Sequence, residues 1–409
     1  MPASSNFGTT GSANNAALVQ PILDEVLERE SIFSSYFSRF TADISSDKAP
    51  DAVILEKRQL VQEGGDQIIV PLLRKLTNEG TSGDLQIKGK EEAQSERFVK
   101  VGINQKRHAV KVMRGASGQR VKKFNFMARM QPQLSDWWGE EMDFDIFQSI
   151  LEGGSRHIRD TVANGGLNFD FGGGANTVVS NPFVYEAGSG GAGGGLVAFG
   201  ASASAYETNV GTAVTAVGSA DIMALFLLDN LLTEAHNQRL RPIKIKGENL
   251  YVVILHPNQF DQLSAAGSVF QQIQRDAGVR GDENPIFTGA KGFYKGCIIH
   301  VHPYIPGVTT SGGKPVYGTT TPHTALDTNT VKCAILLGGG AILKGIGEPL
   351  HFETEEEDYM NVKGVAAAIN YGSRRPDWTS DEVGATRARP VNPSSFVLLT
   401  NSPTPDFNG

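Results

Sequence analysis

The segment Val70–Val112 is a long polar excursion with too few apolar residues to form a core of its own. Within it, Val99, Val101 and Ile103 alternate with polar residues and glycine, which is the pattern of a half-buried strand. Before that strand, glycines punctuate a predicted loop of about twenty residues. Loops of this length are uncommon in compact domains unless they are functional. We therefore expect the excursion to act on something or to contact something.

The second half of the excursion and the residues that follow it are strongly basic. Between Arg97 and Lys123 the chain has cations but no Asp or Glu. The cations are Arg97, Lys100, Lys106, Arg107, Lys111, Arg114, Arg120, Lys122 and Lys123. Because complementary charges steer association and fix register, this run predicts an acidic partner.

The overall composition is that of a globular protein without a general affinity for nucleic acid. The chain has 409 residues, 40% of them hydrophobic, enough for one large or two medium domains. Its net charge of -7 argues against a dedicated nucleic-acid binder, since phosphate binding needs an excess of Lys and Arg. Cys297 and Cys333 are far apart and form no disulfide or zinc pattern. No secretion signal and no apolar membrane span is recognisable, which predicts a soluble protein made in the cytoplasm.

The N-terminal half predicts an arm, two helices and a glycine-rich region. Residues 1 to about 20 are predicted to be a flexible arm, and Asp24–Phe40 an amphipathic helix. Gln119–Ile158 is the longest helical region, with apolar residues on several sides, and Pro132 should kink or interrupt it. From Asn164 to about Thr215 the chain is rich in Gly, Ala and Ser, and its interleaved aromatic residues favour ordered loops over a pure linker.

The C-terminal half predicts a second unit that mixes helices and strands irregularly. A helix should follow Ser219 and Asp221, which are suitable N-cap residues. Leu250–Leu255 is a predicted buried strand, and the order of later helices and strands indicates an α+β fold. From about Asp377 the chain is rich in Pro, Ser, Thr and Asn, and we expect it to run along a surface.

Two features resemble parts of enzyme sites but lack the complete pattern. Gly338, Gly339 and Gly340 follow a predicted strand, but no phosphate-binding motif is complete there, so close backbone packing is the better interpretation. His300 and His302 could share a metal with His256, but no Asp, Glu or Cys stands beside them as a further ligand. Structural histidines are therefore the better interpretation.

The acidic run Glu353–Asp358 is a third candidate, and it too lacks a catalytic arrangement. Paired-carboxylate catalysis requires two carboxyl groups that face each other across a cleft. Adjacent carboxylates on one segment are better interpreted as a solvated face or as the partner of a basic element. The chain also lacks a nucleophile elbow. The sequence thus predicts no catalytic, cofactor-binding or metal-binding residues.

Several segments along the chain can be compared with known families in the order in which they occur. The segments are PLLRKLTNEGTSGD, KGKEEA, INQKRHAVKV, LSDWWGEEMDFDIF, IKGENLYVVILHPNQFDQL, QRDAGVRGDENPIFTGAKGFYKGCIIHVHPYIP, LLGGGAIL and EEEDYMNVKGVAAAINYG. Taken together, they resemble the major capsid proteins of tailed phages, in particular the family typified by the coliphage N4 major coat protein. They extend from about Val70 to Gly372 and so cover most of the chain. The first twenty residues, residues 164 to 215 and the tail beyond Asp377 depart from the resemblance.

The resemblance implies an α+β fold of the Hong Kong 97 capsid type. This fold has an N-terminal arm, an extended loop that lies across a neighbouring subunit, a peripheral domain with a long spine helix, and an axial domain. The implied domains are an arm and first helix (1–60), the extended loop (61–115), the peripheral domain (116–165 and 344–376), a Gly-rich region (166–218), the axial domain (219–343) and a C-terminal surface segment (377–409).

The charge pattern then predicts a subunit interface. We expect the basic stretch to meet one of two acidic clusters on an adjacent subunit. The basic candidates are Arg97, Lys100, Lys106, Arg107, Lys111 and Arg114. The acidic candidates are Glu140, Glu141, Asp143 and Asp145 on the spine helix, or Glu353, Glu355, Glu356, Glu357 and Asp358.

The implied function is self-assembly into an icosahedral virion shell of hexamers and pentamers, built in the host cytoplasm. Further implied partners are a separate scaffolding protein, a portal, a decoration protein and packaged double-stranded DNA bound without sequence specificity, with no membrane. Covalent cross-linking, known in this fold, would have Lys88, Lys90 and Asn361 as candidates. The alternatives are a cellular nanocompartment shell of the same fold and, from a different class, an α+β enzyme that uses the turn near Gly340 or the pair His300 and His302. An extracellular binding module is disfavoured because no secretion signal is recognisable.

Overall fold

The computed structural model describes two sheets, three α-helices and one projecting hairpin. It describes residues 35–44, 52–58, 65, 67–73, 80–84, 86–91, 96–113, 126–155, 183–187, 196–199, 217, 219, 221–237, 240–245, 247–265, 268–270, 290–311, 314–317, 329–357, 362–376 and 394–403. The helices are α1 (Phe126–Glu152), α2 (Leu225–Asn237) and α3 (Pro257–Leu263), and a 3₁₀ helix spans Tyr36–Phe40.

The strands are named in chain order. They are β1 (Thr41–Asp43), β2 (Ile54–Lys57), β3 (Gln67–Leu73), β4 (Glu96–Gly102), β5 (Asn104–Met113), β6 (Phe183–Ala187), β7 (Leu196–Phe199), β8 (Ile243–Ile245), β9 (Glu248–Leu255), β10 (Gly292–Tyr294), β11 (Cys297–Val301), β12 (Val308–Ser311), β13 (Lys314–Tyr317), β14 (Val331–Leu337), β15 (Ile342–Glu357), β16 (Val362–Arg374) and β17 (Ser395–Asn401).

The larger sheet has the strand order β10-β11-β9-β14-β17-β6-β7, with β8, β12 and β13 beside it. Its central strands are apolar on both faces because both faces are covered. On β9, Val252 and Ile254 belong to one core, while Val253 and Leu255 belong to the other, onto which α2 packs. The predicted buried strand Leu250–Leu255 is therefore confirmed.

The smaller sheet has the strand order β1-β2-β15-β16-β5, and α1 packs across one of its faces. Leu134, Trp138 and Met142 of the helix contact a row of alternating residues on β16 that includes Val365 and Ile369. From residue 141 to 151 every side chain of α1 is buried, as expected for a helix that is apolar on several sides.

The helix α1 is shorter than the sequence predicted and continues through its proline. Pro132 is the seventh residue of the helix and lies exposed, and the helix continues through it although the proline supplies no backbone N–H. The expected interruption is therefore wrong. At the other end, Gly153 has a φ of 88° and its N–H donates to the Ser149 carbonyl at 3.0 Å, which ends the helix before Ile158.

The hairpin β3–β4 leaves the body beside the smaller sheet. Its base packs on its own chain through Ile68, Val99 and Val101, which lie in one core with Leu55 and Leu343. The strand β5, which the expected extended loop 61–115 included, does not belong to this hairpin. It pairs with β16 over ten residues and is part of the body.

The C-terminal segment contains an unexpected buried strand. β17 pairs with β14 on one side and with β6 on the other, and Ser395 to Thr400 are all buried. The expectation of a surface course is therefore wrong for these residues. The signal was present in the apolar run SFVLLT, which is typical of a strand covered on both faces.

Three other expectations were met only partly. In the glycine-rich region, β6 and β7 pair antiparallel, so ordered structure is confirmed there. The predicted helix after Asp221 exists but begins at Leu225. Most of the predicted helix Asp24–Phe40 lies outside the described residues, and its end is a 3₁₀ helix that buries Phe37 and Phe40.

Candidate intersubunit surfaces

One face of the smaller sheet points away from α1, and we call it the outer sheet face. Its residues form three rows across β15, β16 and β5. The rows are Glu355–Gly364–Lys111, Glu353–Ala366–Ala109 and His351–Ala368–Arg107. Residues between these rows, such as Phe352, Val365 and Val110, point to the opposite face and contact the helix. The outer sheet face thus has an acidic edge on β15, a floor of Gly and Ala on β16, and a basic edge on β5.

The small floor residues make this face a trough between long charged side chains. Glu353, Glu355, Arg107 and Lys111 are exposed at its edges. A Cβ at Gly364 would meet the Lys111 Cγ at 3.5 Å, so the aliphatic part of that lysine already lies along the floor. Gly364 and Ala368 are already buried by neighbouring side chains, whereas Ala366, in the middle of the floor, is only half-buried.

The tip of the hairpin presents an apolar side chain and two lysines to solvent, together with the exposed carboxylates Asp84 and Glu91. In the tip, Ile87 is 64% exposed, and both Lys88 and Lys90 are exposed. The Lys90 N–H donates to the Ile87 carbonyl at 2.9 Å, which forms a turn that presents the three side chains. Glu91 accepts from the Gly89 N–H at 2.6 Å and closes the turn. Among the described residues, Ile87 is the most exposed large apolar side chain.

The six basic candidates divide between the hairpin and the body. Lys100 is exposed on β4 opposite Ile69, and Arg97 lies on the same strand. Arg107 and Lys111 form the basic edge of the outer sheet face, whereas Lys106 points the other way and pairs with Glu141 of its own chain. Arg114 lies outside the described residues. The basic stretch is therefore not one continuous arm.

The acidic residues of α1 do not form the exposed cluster that the sequence suggested. Asp143 is 3% exposed, Asp145 is 1% exposed and Glu141 is 8% exposed. Asp145 accepts a hydrogen bond from the Tyr371 hydroxyl, and burial beside Asp145 raises the pKa of that tyrosine. Of the four expected interface carboxylates on this helix, only Glu140 is partly exposed. The expectation of an acidic surface is wrong for the other three.

Asp143 holds the segment that precedes β1 against α1. Its carboxylate accepts from the Ser35 hydroxyl at 2.7 Å, from the Tyr36 N–H at 2.7 Å and from the Phe37 N–H at 3.1 Å. Burial raises the pKa of Asp143 to about 6, and these hydrogen bonds oppose the rise. No local pattern predicts this contact, because its partners lie more than 100 residues apart along the chain.

The acidic candidates on β15 are placed differently. Glu353, Glu355 and Glu356 are exposed. Glu357 is the last residue of β15, and Asp358 lies outside the described residues. The imidazole of His351 lies between two exposed carboxylates, with its Nε2 3.4 Å from Glu353 and its Nδ1 3.9 Å from Glu348. This strand, unlike α1, presents negative charge to solvent.

The sequence offers His256, His300 and His302 as possible metal ligands. In the structure each of them packs or hydrogen-bonds within its own chain. His300 is fully buried and its ring packs 5.2 Å from that of Phe40. His302 accepts from the Tyr304 N–H at 3.2 Å, and burial lowers its pKa to about 4. His256 caps α3, since its Nδ1 accepts from the Asn258 N–H at 3.2 Å. In the part of the chain that the structure describes, no three His, Cys, Asp or Glu residues are grouped as metal ligands.

The three consecutive glycines after β14 allow close backbone packing, as the sequence indicated. A Cβ at Gly338 would lie 2.3 Å from the Arg241 carbonyl oxygen, and one at Gly339 would lie 3.2 Å from the Pro242 carbonyl oxygen. Gly340 has a φ of 68°.

Among the described residues, no helix is both long and apolar enough to cross a bilayer.

Residues 19–397 match the family model described as phage capsid protein. The chain belongs to the phage capsid protein family. It is 26% identical over 321 residues to the major capsid protein of Pseudomonas phage KPP25, which covers 78% of this chain and 80% of the relative. The match supports a structural capsid role, and the enzyme alternative is set aside.

Solved phage capsids have the same fold. The capsid of Ralstonia phage GP4 superposes with a TM-score of 0.64 at 20% identity and covers 91% of this chain and 93% of that one. The capsid of cyanophage Pam1 gives a TM-score of 0.59 at 14% identity, with 91% and 94% covered. The expected Hong Kong 97 type fold is therefore confirmed, while the closer resemblance to the coliphage N4 protein stays a prediction.

Proposed function

We propose that this major capsid protein tiles an icosahedral head as hexamers and pentamers, and that the hairpin of each subunit docks on the outer sheet face of its neighbour. The hairpin is the observation that carries the proposal. Its base packs on its own chain, but the described tip residues 80–84 and 86–91 are exposed or half-exposed. A projecting element whose described tip residues bury so little within their own chain is suited to contact another molecule.

The charges favour one orientation of this contact. Lys88 and Lys90 of the tip would face Glu353 and Glu355, and Ile87 would lie on the Gly and Ala floor between them. Lys100, and Arg97 on the same strand, would extend the basic side of the contact. Of the two acidic clusters that the sequence offers, this contact uses the run on β15 and not the buried carboxylates of α1.

Each such contact is weak, but the many copies of it in a shell together stabilise the particle. Exposed ion pairs contribute about 0 to 1 kcal/mol each, so their main effect is on register and salt dependence. Head-to-tail contacts close into rings when the rotation between neighbours allows it. Many such contacts per particle then act together.

Engineered disulfide trapping tests the contact directly. The natural Cys297 and Cys333 are both buried, so they give little background. The double variant with Ile87→Cys and Ala366→Cys should form disulfide-linked multimers under mild oxidation of assembled particles. The control, with Ile87→Cys and Asn237→Cys, should stay monomeric on the same gel. Equal cross-linking of both variants, or none in either, would refute the docking site.

Electron microscopy tests the function itself. Recombinant protein should form shells or ring-shaped capsomers, and a stable monomer under all conditions would contradict assembly. Particles from an infected host should contain double-stranded DNA and a portal, whereas enzyme cargo would indicate a cellular nanocompartment.

The remaining partners extend the same proposal. The net charge of -7 supports a neutral or acidic inner lining that does not retain packaged DNA. We include a separate scaffolding protein, a portal, a decoration protein and assembly in the host cytoplasm. Co-expression with each candidate scaffold, scored by the yield of closed shells, checks the first of these.

A further inference from the structure

A cavity of about 320 Å³ lies between the segment Ser35–Asp43, β2, α1 and β15. Its apolar lining comes from Phe37, Met142 and Ile146, all of them buried. Its polar lining includes four charged side chains from three neighbouring strands and the residue after β2. The volume is at the small end of the range for ligand sites in proteins, which begins at about 300 Å³.

Three of the charged residues form one row across the sheet. Asp43, Glu56 and Lys344 are direct neighbours in the register of β1, β2 and β15. The two carboxylates therefore stand side by side, an arrangement that is unfavourable without compensating cations.

Two cations, Arg58 and Lys344, compensate the charge of Glu56. One oxygen lies 2.6 Å from the Arg58 Nε and the other lies 3.2 Å from the Lys344 Nζ. Burial tends to raise the pKa of Glu56, but Lys344 and Arg58 together hold it below its ordinary value. Lys344 also lowers the pKa of the buried Asp143, so its charge serves two carboxylates.

Asp43 has no such compensation. It is exposed on β1, which forms the edge of the smaller sheet, and its carboxylate makes no hydrogen bond or ion pair to another described residue. A carboxylate beside a second carboxylate favours a positive charge in its vicinity. Here that charge would lie at one side of a cavity whose opposite lining is apolar.

We propose that this cavity binds an alkyl chain that ends in a cation. The chain would lie against Phe37, Met142 and Ile146, and the ammonium or guanidinium group would pair with Asp43. A bare metal ion fits less well, because the cavity offers one uncompensated carboxylate and an apolar wall. The cation comes from a Lys or Arg side chain of a neighbouring copy or from a free alkylamine. The first source rests on the shell function proposed above, and the second does not.

Binding of n-butylguanidinium to the unassembled full-length subunit tests the site. The neutral isostere n-butylurea is the matched ligand control. We expect saturable shifts of the Met142 methyl resonance with n-butylguanidinium and weaker or no shifts with n-butylurea. The variant Asp43→Asn should weaken binding about fivefold, in the range of one exposed ion pair, while Glu353→Gln should leave it unchanged.

Assembled particles distinguish the two sources. If a neighbouring side chain fills the cavity, assembled shells should not bind n-butylguanidinium and Asp43→Asn should reduce assembly. If a free alkylamine is the ligand, shells and subunits should bind the probe equally. Equal binding of n-butylurea and n-butylguanidinium to the subunit, or no effect of Asp43→Asn on binding, would overturn the proposal. A failure to form shells would contradict the proposed function and leave the subunit measurement valid.

Discussion

The acidic residues of α1 and those of β15 have the same charge but opposite surroundings. Asp143 and Asp145 are almost completely buried and accept hydrogen bonds from their own chain, whereas Glu353 and Glu355 are exposed on the outer sheet face. The cause is the position of each element. α1 lies between the smaller sheet, the N-terminal segment and the larger core, so its polar residues need internal partners. β15 has one covered face only.

This difference in burial assigns the two groups of carboxylates to different processes, those of α1 to folding and those of β15 to assembly. Buried carboxylates that accept several hydrogen bonds stabilise the subunit, and their loss should be visible without any neighbour. Exposed carboxylates contribute little to the subunit and become important when a second molecule supplies the opposite charge. Mutations in the two clusters should therefore have effects on different measurements.

Removal of the Asp143 carboxylate should give the largest effect. Asp143→Ala leaves three donors of residues 35–37 without their acceptor, and we expect a loss of about 3 to 5 kcal/mol in the free energy of unfolding. Glu353→Ala should change it by less than about 0.5 kcal/mol. Urea unfolding of the unassembled subunit measures both. Similar losses in the two variants would remove the distinction between the clusters.

The raised pKa of Asp143 should also be visible in the pH dependence of the free energy of unfolding. Its pKa is about 6 in the folded chain, above its ordinary value of 3.8, so folding favours the protonated form. The resulting stabilisation is complete below about pH 4 and is lost as the pH rises through about 6. A shift of this size corresponds to roughly 3 kcal/mol.

The variant Asp143→Asn isolates this contribution. The stability of the wild-type subunit relative to the variant should decrease between about pH 4.5 and pH 7. Glu353→Gln should give no such pH-dependent difference. A wild-type advantage that grows toward pH 7 would show that the hydrogen bonds outweigh the effect of burial.

Lys106 and Arg107 repeat the comparison within one strand. Lys106 points to α1 and pairs with Glu141, and the side chains are only 19% and 11% exposed. Lys106→Met should therefore destabilise the subunit by about 1 to 3 kcal/mol, because Glu141 keeps its charge without its partner. Arg107→Met should change subunit stability by less than about 0.5 kcal/mol. Thermal unfolding of both variants measures these losses of stability. A larger loss for Arg107→Met than for Lys106→Met would mean that Arg107, and not Lys106, faces α1.

The sequence predicted the elements of this fold better than the uses of its charges. Apolar runs identified β9, and apolar residues around α1 correctly indicated that it is covered on several sides. The resemblance to capsid proteins supplied the arrangement of the domains as an expectation. Burial of β17 could have been inferred from its composition, but its position between β14 and β6 depends on contacts across the chain.

The candidate interface was only partly predictable for a related reason. From the sequence, the run of like charges from Arg97 to Lys123 suggests a single arm. Only the pairing with β16 shows that Arg107 and Lys111 share a face with Glu353 and Glu355. A local pattern can place a residue on one face of a strand, but which distant strand lies beside it depends on contacts across the chain.

Reversal of the tip charges should have the smallest effect per contact and should concern assembly alone. Lys88→Glu places like charges opposite Glu355 in the proposed contact and should slow shell formation, with about 0 to 1 kcal/mol per contact. Combining it with Glu355→Lys should restore assembly. Light scattering at about 50 mM and about 500 mM salt measures the rate, and the difference between variants should shrink at high salt because exposed charges are screened. If Glu355→Lys does not rescue Lys88→Glu, the tip contacts another part of the neighbour, and the exposed carboxylates of β15 have a different partner.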